Sequence, residues 1–203
     1  NRAPALIEGV RFVSPLTPGL NGFPVGDGKA RNRLVSFFDY PGLRDSWSGG
    51  PIDFVPLHYS EIVPWLRSAG RIDLGIITIC EPDGNGCSSV GLGADFVPDI
   101  LPHCGAVLAQ CNPSMPRIVH APTIRSSAID HVVHADHPLP VAHEVASDAT
   151  SAAIVRNVAD LVRDGDTIQY GVGRLPQLAA AELVRKRDLG LHTGLASPVM
   201  RQL

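Results

Sequence analysis

The sequence predicts an α/β fold, an open, largely parallel sheet with helices on both faces. Three observations carry this. Strand-like and helix-like stretches alternate along the chain, the pattern of repeated β–α–β units. Ile72-Asp73-Leu74-Gly75-Ile76-Ile77-Thr78-Ile79 is a nearly continuous apolar, β-branched run, which suits a parallel strand covered on both faces. Between Asp164 and Thr193 a turn, a short strand, a glycine loop, a helix and a second strand follow one another.

The elements follow in chain order. Arg11–Leu16 and Leu34–Asp39 read as strands joined by a Gly/Pro-rich loop from Thr17 to Gly28, and Asp53–His58 as a third strand. Tyr59–Ala69 reads as a helix with Ser60 as N-cap, Ile62, Val63 and Leu66 inward, and Pro64 in its first turn, where a missing N–H is tolerated. After Ile72–Ile79 come the Glu81–Gly86 turn, a short strand over Cys87–Leu92, a helix over Asp95–Cys104 and a buried strand over Ala106–Asn112. Pro113–Ile124 is irregular, and Ile129–His134 is a strand. His137-Pro138-Leu139-Pro140 is a connector, so residues 1–145 are expected to form one α/β domain and residues 146–203 to begin a second.

In that second part Ser147–Arg163 is the longest helix, with apolar positions at Ala152, Val155, Val158, Ala159 and Val162. Thr167–Tyr170 alternates with a strand's period of two. Gly171 and Gly173 reach backbone angles closed to other residues and let a ligand approach the main chain. Pro176 suits the first turn of a helix whose apolar face is Leu175, Leu178, Ala179 and Leu183. A strand, a glycine turn and a helix N-terminus together offer N–H groups to an anion or oxyanion.

Composition narrows the function classes. The chain has 203 residues, 44% hydrophobic and 18% charged, as in a globular enzyme with a buried sheet. A net charge of −3 argues against nucleic acid or an anionic membrane as partner. No apolar run approaches the ~20 residues of a membrane span. The chain opens at Asn1 without an initiator Met, and no signal peptide is legible. Cys80, Cys87, Cys104 and Cys111 lack the paired spacing of zinc sites, and Cys80 and Cys111 end buried strands. They read as reduced thiols of a cytoplasmic protein with no disulfide and no bound metal.

Several chemical motifs fail on inspection. Gly22–Ala30 resembles a P-loop, but its spacing is one residue too long and Ala30 stands where a hydroxyl must bind Mg²⁺. His131, His134, Asp136 and His137 could suggest a metal cluster, but residues three apart on a strand point to opposite faces. Ser126, Ser127, His120 and Asp130 hold the residue types of a hydrolytic triad without a GxSxG elbow. Two loops keep their interest. Gln110-Cys111-Asn112-Pro113-Ser114-Met115-Pro116 follows a buried strand, where open α/β sheets bind ligands. Glu81-Pro82-Asp83 with Gly84 and Gly86 is a turn whose carboxylates are expected to cap backbone N–H groups.

Five segments, in order, resemble the acetyl-CoA hydrolase / 4-hydroxybutyrate CoA-transferase family. Glu81–Ser88 is similar to its PPDxxGyxS turn and Ala109–Arg117 to its QVNPxMPRT; Asn157–Tyr170 is similar to NIAxLIxDGxTLQxG, Gly171–Pro176 to GIGxxP, and Asp188–Thr193 to DLGIHTE. The resemblance runs over Asp53–Leu203 and is faint before it. Against full members the chain reads as a middle portion, with the N-terminal half and only the start of the C-terminal half.

The resemblance implies coenzyme A chemistry, with acyl-CoA and a small carboxylate as substrates and no metal. It implies that Gly171, Val172, Gly173 and Pro176 form the oxyanion and CoA-binding loop, and that Gln110, Asn112, Met115, Pro116 and His192 line the acyl pocket. The two loops are then expected to lie close together at the carboxyl edge of the sheet. In the family a glutamate follows the His-Thr pair and attacks the thioester; here that position is Gly194, and Ser197-Pro198-Val199 follows where the family has SDG. The expected function is therefore acyl-CoA:carboxylate CoA transfer or acyl-CoA hydrolysis by a route without that glutamate. The alternative is a non-catalytic acyl-CoA-binding or partner subunit of a split CoA-transferase. Ile168, Leu189 and Leu191 would leave an apolar sheet face for a homo-oligomer contact or a second chain to cover.

Overall fold

A computed structural model describes residues 9–14, 32–39, 50–139, 146–171, 173–194 and 197–203. The P-loop-like stretch Gly22–Ala30, the Thr17–Gly28 loop and Val172 lie outside the described residues. The chain divides into two compact units, Asn1–Pro140 and Val141–Leu203.

The first unit opens with a parallel sheet of strands β1 (Arg11–Ser14), β2 (Arg33–Ser36) and β3 (Ile52–Phe54), in that order. Arg33 Nε donates to Asp53 Oδ2 at 2.9 Å across β2 and β3, and this bond holds the Asp53 carboxyl below its ordinary range. Helix α1 spans Tyr59–Ser68 and starts two residues earlier than a Ser60 cap would set it. The cap is His58, whose N–H donates to the Glu61 carboxylate at 3.0 Å. Pro64 therefore sits inside the helix beyond its first turn, at the cost of one backbone bond. Ile62 and Leu66 face inward and meet Val35, Phe37 and Phe96 in one buried cluster.

A second parallel sheet has the order β4-β6-β8, from β4 (Ile72–Ile79), β6 (Cys104–Cys111) and β8 (His131–His134). Between them run β5 (Cys87–Ser89), a short helix α2 (Val97–Ile100) with a 3₁₀ turn at Leu101–His103, and β7 (Thr123–Arg125). β5 and β7 pair antiparallel, the one exception to parallel pairing among the described strands. The long helix expected over Asp95–Cys104 is broken because Pro102 lacks the N–H that a continuous ladder needs, whereas Pro98 sits in the first turn of α2, where none is needed, and Cys104 joins β6. Ile77, Ile79, Val107, Ala109 and Cys111 pack with Val90 and Ile124 into the second buried cluster.

The expectation that Ile72–Ile79 is covered on both faces needs correction. Alternate residues point to opposite faces, and Leu74 and Ile76 are 46% and 65% exposed while Ile77 and Ile79 are buried. An apolar run on its own does not tell a doubly covered strand from one whose second face is open.

The second unit holds α3 (Ala149–Leu161), β9 (Thr167–Ile168), α4 (Arg174–Glu182) and β10 (Gly190–Leu191), with β9 and β10 parallel. Asp148 caps α3, accepting the Ser151 N–H at 2.7 Å. The buried stripe of α3 is Ser151, Val155 and Ala159, spaced four apart, whereas Val158 is 40% exposed. On α4 the fully buried residue is Ala180, followed by Leu183 just after the helix; Leu178 and Ala179 are half-buried and Leu175 is exposed. The chain is α/β with open, mostly parallel sheets.

Candidate functional site

Two strand edges carry the residues singled out by the sequence, one in each unit. In the first unit the register Ile79↔Cys111↔His134 aligns the carboxyl ends of β4, β6 and β8. The loop after β6 leaves from this edge. Asn112 is fully buried, and its N–H donates to the Ile79 carbonyl at 3.0 Å. Its Oδ1 accepts the Ser114 N–H at 3.0 Å, and its Nδ2 donates to the His137 carbonyl at 3.0 Å. Both ends of this amide are thus committed to holding the loop against the chain leaving β8. Gln110 Nε2 lies against His137 Nε2, and the Ser114 hydroxyl donates to Asp136 at 3.2 Å. Met115 lies over Gly91, whose positive φ of 69° and missing side chain make the space: a Cβ there would sit 2.1 Å from the Met115 sulfur. Pro116 is exposed.

The neighbouring turn divides its two acids between different tasks. Asp83 Oδ1 accepts the N–H groups of Cys87 at 2.9 Å and Asn85 at 3.0 Å. The Cys87 bond leads in holding this carboxyl below its ordinary value. Asp83 is a backbone cap, as the composition of the turn implies. Glu81 is not: its carboxylate points toward His134 and Cys111. Burial first, and then the Glu81 carboxylate, push the Cys111 thiol up to about 11. The Arg117 guanidinium donates to the carbonyls of Glu81 at 2.9 Å and Cys87 at 2.8 Å, tying both ends of the turn. Arg117 closes the Ala109–Arg117 motif in the sequence, yet nothing local announces a partner some thirty residues upstream.

In the second unit the register Ile168↔Leu191 makes Gly171 and the His192–Gly194 segment leave the same edge of β9 and β10. The His192 N–H donates to the Ile168 carbonyl at 3.0 Å, and the Thr193 hydroxyl donates to the Tyr170 carbonyl at 2.8 Å. Tyr170 and Ser197 share a hydroxyl hydrogen bond at 2.9 Å. Gly173 has φ 143° and ψ 172°, a conformation open only to glycine, and serves as N-cap of α4. Pro176 closes over it, within 3.6 Å of where a Cβ would be. The His192 side chain is exposed. Gly194 is exposed too, and a Cβ added there would meet nothing within 4 Å. An exposed imidazole at His192 and an open position at Gly194 thus leave the same strand edge as Gly171.

The remaining constellations dissolve. His131 pairs with Leu108 and His134 with Cys111, on opposite faces of β8. Asp130 accepts the Val107 N–H at 2.7 Å, and the Ser126 hydroxyl donates to the Gly86 carbonyl at 3.0 Å, so both serve the backbone. The Asn112–Pro116 loop lies in the first unit and the Gly171–Pro176 loop in the second, so their expected proximity stays an expectation. All four cysteines are free thiols. No helix among the described residues is long and apolar enough to cross a membrane.

Known proteins share sequence and fold with this chain. Residues 25–143 match the acetyl-CoA hydrolase/transferase N-terminal domain. The chain is 33% identical over 162 residues to the 4-hydroxybutyrate coenzyme A transferase of Clostridium kluyveri, covering 79% of this chain and 38% of that protein. It is 29% identical over 171 residues to the succinyl-CoA:cyclohexane-1-carboxylate CoA transferase of Geobacter metallireducens, covering 84% and 39%. Among solved structures, RipA from Yersinia pestis superposes with a TM-score of 0.76 at 27% identity, covering 86% of this chain and 42% of that one. The chain spans well under half the length of these relatives.

Proposed function

Because the chain belongs to the acetyl-CoA hydrolase/transferase family, we propose that it acts on acyl-CoA thioesters, passing CoA to a small carboxylate or the acyl group to water. The observation that supports this most directly is the shared edge of β9 and β10, where Gly171, Gly173, His192 and Gly194 leave the sheet together. In this reading the Gly171–Pro176 loop, Val172 included, binds the thioester oxygen and CoA. Gln110, Asn112, Met115, Pro116 and His192 serve the acyl pocket. Asn112 acts there by shaping its loop, since its amide is already committed.

The family route, as the motif resemblance implies it, starts with a glutamate carboxylate attacking the thioester carbonyl. CoA thiolate leaves and an enzyme-bound anhydride remains; the thiolate then attacks the glutamyl carbonyl, releasing the acyl carboxylate and leaving a glutamyl-CoA thioester. Glycine at 194 has no carboxylate for this. The attacking oxygen must then come from the acceptor carboxylate, from water, or from a residue elsewhere, and the backbone donors still stabilise the tetrahedral oxyanion. The two-domain division near residue 145, a cytoplasmic location and a homo-oligomer or second-chain contact belong to the same proposal, with no nucleic-acid partner and no metal needed for the transfer.

The test is incubation with acetyl-CoA, with and without added carboxylates, following free thiol and the exchange of labelled acid into CoA thioester. Thiol release or acid exchange supports turnover. Gly194 itself favours a second reading, an acyl-CoA-binding or partner subunit. Saturable acyl-CoA binding without turnover would select that reading, and absence of binding would remove both.

A further inference from the structure

The carboxyl edge of the β4-β6-β8 sheet holds a donor set that thioester transfer does not use. Cys111 closes β6, and its register partners are Ile79 on β4 and His134 on β8. Residues in register on adjacent strands face the same side, so the Cys111 and His134 side chains meet. Glu81 joins them from two residues beyond Ile79. One sulfur, one imidazole nitrogen and one carboxylate oxygen lie within 4.8 Å of one another, and Glu81 Oε1 is 3.7 Å from His134 Nδ1. Cys111 is 1% exposed, whereas the His134 and Glu81 side chains are 70% and 55% exposed. The sulfur forms the floor, and the other two donors form a movable rim open to solvent.

Two of the three donors are departures from the motifs that relate this chain to its family. Glu81 stands where the PPDxxGyxS turn has proline, and Cys111 where QVNPxMPRT has valine. One donor comes from the end of each of three neighbouring strands, which a search for histidines along a single strand does not find.

We propose that Glu81, Cys111 and His134 form a binding site for a divalent transition metal ion of the zinc class. Sulfur, imidazole nitrogen and carboxylate oxygen are the ligand types that such a borderline ion takes, and three protein ligands leave a fourth position for water or a small ligand. Metal bonds of ~2.0–2.3 Å require the donors to draw somewhat closer together, which rotamer changes of the two exposed side chains supply. On binding, the Cys111 thiol gives its proton to solvent and the thiolate binds the ion. The site lies wholly within the first unit and does not depend on the thioester reading.

The test is titration of the reduced, metal-free full chain with Co²⁺ alone, then with Zn²⁺ as competitor. The expected result is saturation at one equivalent with a near-ultraviolet sulfur-to-cobalt charge-transfer band and visible bands of tetrahedral cobalt, all erased by Zn²⁺. Cys111→Ser should abolish the charge-transfer band. Glu81→Gln and His134→Gln, at exposed positions where folding is not at stake, should each weaken binding at least about tenfold, as even the partners of ligands do when removed. His131→Gln, on the opposite face of β8, should change nothing. Absence of saturable uptake, a spectrum without the sulfur band, or equal affinity in wild type, Glu81→Gln and His134→Gln would overturn the site.

Discussion

Arg174, the first residue of α4, donates to the Asp148 carboxylate at 2.9 Å, and Asp148 is itself the N-cap of α3. The same guanidinium donates to the buried Ser151 hydroxyl at 2.7 Å. One carboxylate therefore both starts α3 and anchors the helix that leaves the glycine loop.

This relationship makes the second unit sensitive to acid. The Ser151 N–H, then Arg174, depress the Asp148 carboxyl from its ordinary 3.8 to about 2. A depressed carboxyl contributes stability that is fully present above the unfolded value and is lost as pH falls through the folded one. The Ser151 amide signal and α3 helicity should accordingly weaken between about 3.8 and about 2. Asp148→Ala should flatten this part of the acid titration. An unchanged titration in the variant would show that the cap does not couple to α3.

The two glycines of the loop should respond differently to the same substitution. Gly173→Ala forces a side chain into a conformation reserved for glycine, which costs of the order of 1–3 kcal/mol. Gly171 has no positive φ and open space around it, so Gly171→Ala should be within about 0.5 kcal/mol of wild type. Thermal melts of both variants check this. If acyl-CoA turnover is observed, Gly173→Ala should slow it more than Gly171→Ala.

At position 194 the structure leaves room. Nothing stands within 4 Å of a Cβ there and the φ is ordinary, so Gly194→Glu should fold within about 0.5 kcal/mol of wild type. Hydroxylamine trapping with mass spectrometry should find no glutamyl adduct on the native chain after acyl-CoA is added. The variant should also fail to accumulate one, because a catalytic carboxylate needs a supporting shell as well as space. A trapped glutamate in the native protein would relocate the chemistry.

Asn112 should be among the costliest polar residues to remove. Asn112→Ala deletes the side-chain hydrogen bonds to Ser114 and His137 in a fully buried site and leaves the Ser114 N–H and the His137 carbonyl without them, about 2–3 kcal/mol by general experience with buried polar groups. Asn112→Asp should also destabilise, because it sets an acceptor oxygen against the His137 carbonyl. Denaturant midpoints of the two variants, with Ser114→Ala as an exposed control, measure the effect.

The sequence is most informative where one residue type dominates a stretch. The Ile72–Ile79 run is β4 to the residue, because eight mostly apolar and β-branched positions leave few alternatives. Gly173 is legible as a special conformation, since strand–glycine–helix junctions demand one. What stays hidden depends on pairing between distant residues. No local pattern states that Ile79, Cys111 and His134 share a register, so the convergence of Glu81 on Cys111 cannot be read from the chain. The buried face of α4 differs from the apolar stripe in the sequence, because packing selects small Ala180 and leaves the larger Leu175 outside. Pro102 is visible in the chain, but only the structure shows that the ten-residue stretch is cut there into a short helix and a 3₁₀ turn.

β9 and β10 are two residues long, whereas β4 and β6 have eight each. So short a ladder opens at little free energy compared with a buried eight-residue one. Amide protons around Gly190 and His192 should exchange with solvent far sooner than those of Ile79 and Cys111. The edge that carries Gly173 and Gly194 is therefore expected to breathe in small local openings while the first unit's sheet remains closed.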